Sequence, residues 1–198
     1  GGDCAYNNWA SLANKALTDK GVSLTGYSNI QYIFPGGAAG CGWAGLAYMP
    51  GSTSWVVANY TGAGISGHEF GHNVGFHHAS AYGCSVGTNT LGMCNPSEYG
   101  DGNDVMGSGA PRHTNTYNKA RFWLDPAHIL TATQSGTFTL EPIETIGTGV
   151  KLMRIKRPFA VGSSMITNGY YHIEYRTPTG FDSSLGGSSV SVRLVSDY

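Results

Sequence analysis

The sequence predicts an α+β fold. An N-terminal twisted mixed sheet carries a backing helix and a second, histidine-bearing helix; an irregular and then β-rich C-terminal half follows, with a cleft between the halves. Three observations predict this. Apolar residues at helical spacing open the chain, a glycine- and histidine-rich helical segment closes its first 78 residues, and beyond residue 82 that periodicity gives way to short β-type runs. A length of 198 residues suffices for one domain with a real core, read here as 1–198 with an upper part, 1–78, and a lower part, 79–198.

Residues 6–20 place Trp9, Leu12, Ala13, Ala16 and Leu17 at three- and four-residue spacing, and Gly21 follows as a stop. This is the backing helix. Residues 30–34 form a strand closed by Pro35, Gly36 and Gly37; residues 43–49 form a second, ended by Pro50 and Gly51; residues 54–60 form a third. Glycines at 62, 64, 67 and 71 make the next helix intrinsically poor, by roughly 1 kcal/mol each where they fall in its interior. Burial and a bound ion must hold it. From residue 82 to 109 regular periodicity vanishes, and residues 115–124 recover a helix through Tyr117, Ala120, Arg121 and Trp123, limited by Pro126. Residues 137–140, 150–155, 170–175 and 190–195 are the β-type runs of the C-terminal half.

Composition excludes some functions. The net charge is −1, with no basic stripe to attract nucleic acid and no apolar stretch long enough to span a bilayer. Thirty glycines with only 12 % charged residues describe a loop-rich surface solvated by neutral polar groups, which suits a secreted enzyme better than a cytosolic one; a monomer is expected. The chain begins Gly1-Gly2-Asp3-Cys4, without an initiator Met or an apolar leader, as a processed segment would. Its cysteines, at 4, 41, 84 and 94, allow three pairings. Proximity favours Cys84 with Cys94, leaving Cys4 with Cys41, and disulfides belong outside the reducing cytosol. A four-thiolate zinc site is disfavoured because no C-x-x-C pair exists.

The most informative stretch runs from residue 68 to 78 and reads H-E-F-G-H-N-V-G-F-H-H. On a helix, His68 and His72 lie four apart on one face, close enough to share a metal ion, with Glu69 beside that ion rather than on it. Gly75 can take the left-handed backbone that ends a helix, so His78 can swing back as a third ligand. His77 lacks this spacing and is read as a flanking group. Three neutral imidazoles leave one corner of a tetrahedral Zn2+ open to water, as catalytic sites do. Such an ion lowers the pKa of its water from about 15.7 to near 7. Glu69 would take that water's proton and later deliver it to a departing amine, as general base and then acid. The chemistry implied is amide hydrolysis without a covalent intermediate.

The pattern H-E-x-x-H-x-x-G-x-x-H, with Asp104-Val105-Met106-Gly107 about thirty residues on, resembles the metzincin clan of zinc endopeptidases. The resemblance implies that Met106 is the Met-turn residue, an apolar base under the three imidazoles, and that 1–198 is a single catalytic domain. Within the clan, Glu98-Tyr99-Gly100-Asp101 leading into that turn, Asn118-Lys119-Ala120-Arg121 and Tyr171-His172-Ile173-Glu174-Tyr175-Arg176 resemble the gametolysin-like peptidases, secreted enzymes that digest extracellular matrix or cell-wall glycoprotein. Ser108 stands where some metzincins carry a tyrosine ligand, which implies three histidines and solvent around the metal unless Tyr117 reaches in.

By order, residues 43–49 correspond to the strand that forms the upper rim of a metzincin substrate site. An extended protein or peptide substrate would add to this edge, with Gly45, Leu46 and Ala47 in contact with it. The segment 107–113 would line the pocket for the side chain after the scissile bond. Asp101, Asn103 and Asp104 cluster with Glu98, so Ca2+ is a second candidate ion, although without a full spaced loop an ordinary turn is the preferred reading. Asp104 is a candidate acceptor for the second nitrogen of a ligand imidazole. His113, His128 and His172 read as structural. Two alternatives stand beside the peptidase: a zinc enzyme whose third ligand is Glu98, and a non-catalytic binding module with a structural zinc.

Overall fold

Helix α1 (Tyr6–Asp19) turns Tyr6, Trp9, Ala10, Ala13 and Leu17 inward, while Leu12, expected on the same face, is 57 % exposed. The apolar stripe is centred on Ala10 and Ala13, one turn apart, and Leu12 falls outside it. The computed structural model describes residues 4–35, 40–84, 94–161 and 164–196. Contacts group the chain into two compact units, Gly1–His78 with Gly109–Pro111, and Ala79–Ser108 with Arg112–Tyr198.

In the first unit, strands β1 (Ile30–Phe34), β2 (Gly45–Ala47) and β3 (Thr53–Val57) form a mixed sheet in the order β1-β3-β2. β1 runs parallel to β3, β2 antiparallel to it, and β2 is an edge strand. β3 is the buried centre, with Trp55, Val56 and Val57 all in the core. α1 docks through aromatic rings: Tyr6 meets Trp55 at 4.9 Å between centroids, Trp9 meets Phe34 at 4.8 Å, and the Trp55 indole donates to the Tyr6 carbonyl. Such pairs add about 0.5–1.5 kcal/mol each beyond the area they bury. The Cys4–Cys41 disulfide ties the start of this unit to the approach to β2.

Two strands are shorter than the sequence predicts. The second shrinks from 43–49 to Gly45–Ala47, and a cis Met49–Pro50 peptide lies in the turn that follows. The third stops at Val57, because residues Ala58–Tyr60 wind into a 3-10 turn. Gly36 and Gly37 lie outside the described residues. Helix α2 (Ala63–Asn73) then packs against β2 and β3, with Gly62 as its N-cap rather than in its interior.

In the second unit, β4 (Ala81–Cys84) and β5 (Cys94–Ser97) pair in a stretch expected to be irregular, and the Cys84–Cys94 disulfide joins their ends. Both pairings are thus as expected, Cys84–Cys94 from proximity and Cys4–Cys41 as the pair left over. α3 (Thr116–Phe122) is shorter than 115–124, because Asn115 caps it by accepting from the Asn118 amide. β6 (Ile129–Thr131), β7 (Leu152–Lys156), β10 (Gly169–Arg176) and β11 (Ser189–Ser196) make a sheet in the order β11-β10-β7-β6; β8 (Phe159–Val161) and β9 (Ser164–Ile166) form a separate pair. The strand expected at 137–140 is absent. Just beyond it Pro142 makes an isolated bridge to Tyr175 of β10, past the stretch that pairs with β7.

The centre of this second unit is ionic. β10 buries His172, Glu174 and Arg176. Arg176 donates to Glu174 at 2.9 Å, to Asp182 at 3.2 Å and to the carbonyls of Asn103 and His113. Arg193 donates to Glu174 and Asp101, and Glu174 also accepts from the amide and hydroxyl of Thr116. Burial alone would raise the Glu174 carboxyl, but Arg193, Arg176 and Thr116 outweigh it and bring it down to about 2. The network thereby fastens the turn at 101–107 and the start of α3 to the sheet.

Candidate metal centre

Helix α2 carries two of the candidate ligands, and its C-terminus is built to reverse the chain and return the third. Val74 caps it, Gly75 takes φ +94°, the Gly75 amide donates to the His72 carbonyl and the Phe76 amide to that of Gly71. This doubly bonded glycine end satisfies carbonyls that the helix leaves open. A side chain at Gly75 would strain it. The reversal does two things for His72. It brings the Phe76 carbonyl to 2.8 Å from Nδ1, and it returns His78 so that its Nε2 lies 3.1 Å from the Nε2 of His72.

His68 completes the set, its Nε2 also 3.1 Å from that of His72. The three rings are fanned about one point: His72 stands edge-on to both others, at 85° to His68 and 70° to His78. Among the described residues, His68, His72 and His78 are the group of histidine, cysteine and acidic side chains able to hold a metal. The spacing tests the fit. Tetrahedral zinc with Zn–N near 2.0–2.1 Å sets its nitrogens about 3.3 Å apart, and two of the edges here measure 3.1 Å. The protonation state fits as well. A carbonyl only accepts, so Nδ1 of His72 carries the proton and Nε2 turns a lone pair toward its two neighbours. Burial, and after it the neighbouring His78 and His77, holds His72 below the usual imidazole range, in the neutral form that binds metal.

Glu69 is buried, its carboxylate set against the backbone of β2. A Cβ built at Gly45 would fall 2.4 Å from Oε1, so only glycine leaves room for it. Burial pushes the Glu69 carboxyl up to about 7. Asn73, one residue past His72, donates its side-chain amide to the carbonyls of Tyr48 and Thr53, and its main-chain carbonyl accepts from the Gly51 amide. The helix end is thereby fastened to both arms of the β2–β3 hairpin.

Other expectations fare differently. His77 is exposed, as a flanking residue would be. Gly45, Leu46 and Ala47 are the whole of edge strand β2. Met106 is fully buried in a turn closed by the Gly107 amide on the Asp104 carbonyl. Glu98 is exposed. Asp104 accepts from the amides of Met106 and Asn115 and from the Asn115 side chain, while the acceptor that orients His72 is the main-chain carbonyl of Phe76. In the turn that offered a second candidate ion, Asp101 pairs with Arg193, the Asn103 carbonyl accepts from Arg176 and Asp104 accepts from amides. His128 donates Nδ1–H to the Gly149 carbonyl, and burial drops His172 to about 4. Sequence reasoning missed the Phe76 carbonyl, which has no residue-type signature, and Asn73, whose only signal is an amide immediately after the second histidine.

A model of one family, gametolysin peptidase M11, matches residues 2–188. Neither the curated proteins nor the solved structures yield a significant match.

Proposed function

The chain belongs to the gametolysin peptidase M11 family, a metallopeptidase family, and from that premise we propose that it is a secreted zinc endopeptidase of the metzincin type. The substrate class is extracellular or cell-wall protein. The observation that carries the reading is the convergence of three Nε2 atoms from His68, His72 and His78, next in sequence to a buried carboxylate. The two disulfides fit an oxidising compartment, and among the described residues no helix is long and apolar enough to cross a membrane.

His68, His72 and His78 are the ligands. Zinc bound there supplies Lewis acidity toward water and toward the scissile carbonyl. Glu69 takes the proton of the attacking water and returns it to the departing amine nitrogen. Gly45 leaves the carboxylate its place, and the outer edge of Gly45, Leu46 and Ala47 receives an extended substrate through main-chain hydrogen bonds. Met106 serves as the Met-turn residue, and residues 1–198 act as one catalytic domain, with 1–78 as its upper and 79–198 as its lower subdomain.

Glu69→Gln is the decisive variant. It is expected to bind one zinc per chain and to lose casein cleavage, with wild-type cleavage abolished by a chelator. Turnover at the wild-type rate by Glu69→Gln removes Glu69 from this role. Comparing His78→Ala with Glu98→Ala for bound zinc tests the third ligand, and loss in the Glu98 variant alone overturns the assignment of His78.

A further inference from the structure

A surface pocket of about 260 Å³ opens in the first unit at the N-terminal approach to β2, walled by the chain at 41–44 and by Val57, Asn59 and Tyr60. Its floor belongs to the sheet, since the Val57 amide donates to the Ala44 carbonyl at 2.9 Å and so extends the β2–β3 ladder by one rung. The next residue, Gly45, is the one against which the Glu69 carboxylate lies. Trp43 and Gly42 lie two and three residues before Gly45, with bends at Ala44 and Gly42, so they are at most about 7–10 Å from it. A peptide laid along the outer edge of β2 therefore presents to this pocket a side chain two or three residues from the scissile bond. Because alternate side chains of a strand point to opposite faces, one substrate position is read and its neighbours are not.

Size and chemistry narrow what enters. Small-molecule sites run from about 300 to 1,000 Å³, and this volume falls below them, at the scale of one amino-acid side chain. No charged residue is among the lining. Trp43 is fixed by edge contacts with Tyr6 and Phe34, at 6.0 and 5.7 Å between centroids, whereas the Tyr60 ring is 53 % exposed. Val57 is apolar, and Asn59 offers both a donor and an acceptor. Aromatic faces welcome a flat group and an amide satisfies a polar edge, whereas a carboxylate or ammonium would lose water without gaining a counter-charge.

We propose that this pocket is a specificity subsite for an uncharged, planar side chain with a polar edge, of the tyrosine, tryptophan or glutamine kind, two or three residues from the bond cleaved. It rests on the peptidase reading above. The Cys4–Cys41 disulfide holds its wall in place.

The test is a positional-scanning peptide library used twice: digested by the zinc-loaded wild type, and panned for binding on zinc-loaded Glu69→Gln. Both are expected to favour Tyr, Trp and Gln over Asp and Lys by about tenfold at one position. In the panning, Asn59→Ala and Tyr60→Ala flatten that position and keep the others. Asn59→Asp reverses it toward Lys and Arg, a gain that a folding defect cannot produce. Panning profiles that are identical across all the proteins, or no peptide bound by any, overturn the subsite. Pocket-dependent panning without cleavage by the wild type keeps the subsite and overturns the peptidase reading, and cleavage with panning profiles indifferent to residues 59 and 60 does the reverse.

Discussion

Helix α2 and strand β10 both bury polar side chains, and they do so on opposite terms. In β10 the charges answer one another: Arg176 and Arg193 surround Glu174, and Asp182, Asp101 and Thr116 complete the set. At α2 the imidazoles of His68 and His72 on the helix and of His78 just past it turn toward a common point, and burial sets the Glu69 carboxyl at about 7. The first arrangement finds its counter-charges within the chain. The second is what a protein builds when the balancing charge comes from outside, as a cation held by neutral nitrogens. Buried polarity alone therefore does not mark a site; the presence or absence of an internal counter-charge does.

Breaking the side with internal counter-charges gives the largest expected effect. Arg176→Ala strands Glu174 and Asp182 in the core and is expected to cost about 3–5 kcal/mol of stability, read as a fall in the urea midpoint. Zinc affinity of the folded fraction is expected to stay as it was, and a parallel loss would dissolve the contrast. On the other side, His72→Ala is expected to weaken zinc more than about 100-fold, beyond what the loss of an orienting partner costs. Competition with a chromophoric chelator measures it.

Acid sharpens the contrast next. His172 is held at about 4 against an ordinary 6.5, so its contribution is complete above 6.5 and is lost as pH falls toward 4, where the unfolded chain takes a proton that the fold refuses. Glu174 is held at about 2 against 4.5, so its contribution is lost between those values. In the metal-free protein Glu69, pushed up to about 7, works in the opposite sense between 7 and 4.5, so the readout is the difference between wild type and His172→Gln: the wild-type urea midpoint should fall relative to the variant's as pH drops from 6.5 to 4. A difference unchanged across that window contradicts the assignment. Smallest is Gly75→Ala, expected to cost about 1 kcal/mol through its left-handed backbone and to weaken zinc about tenfold by moving the Phe76 carbonyl off His72.

What the sequence made legible was local. The helices at 6–19, 63–73 and 116–122 follow from apolar spacing and from residues that stop or cap a helix, and Gly75 adopts the backbone that its position demands. Strands β7, β10 and β11 lie within a residue or two of their expected bounds. Illegible were features decided at long range. Nothing near residues 137–140 says that this run stays outside the β11-β10-β7-β6 sheet. Alternation in β10 would favour Tyr171, Ile173 and Tyr175 as the inner face, yet His172, Glu174 and Arg176 are the deeply buried set. Their partners, such as Asn103 and Thr116, stand 73 and 58 positions away. The histidine spacing could nominate His68, His72 and His78, but not the main-chain oxygen that selects the tautomer of His72.

The clasp formed by Asn73 has a practical corollary for anyone re-engineering this molecule. Its amide grips the carbonyls of Tyr48 and Thr53 together, so a residue inserted or removed in the hairpin tip would drag the imidazoles along with the strand. Retuning what the protein accepts is therefore safer through side-chain exchange at Asn59 and Tyr60 than through loop grafting, because those two can change while the latch stays shut.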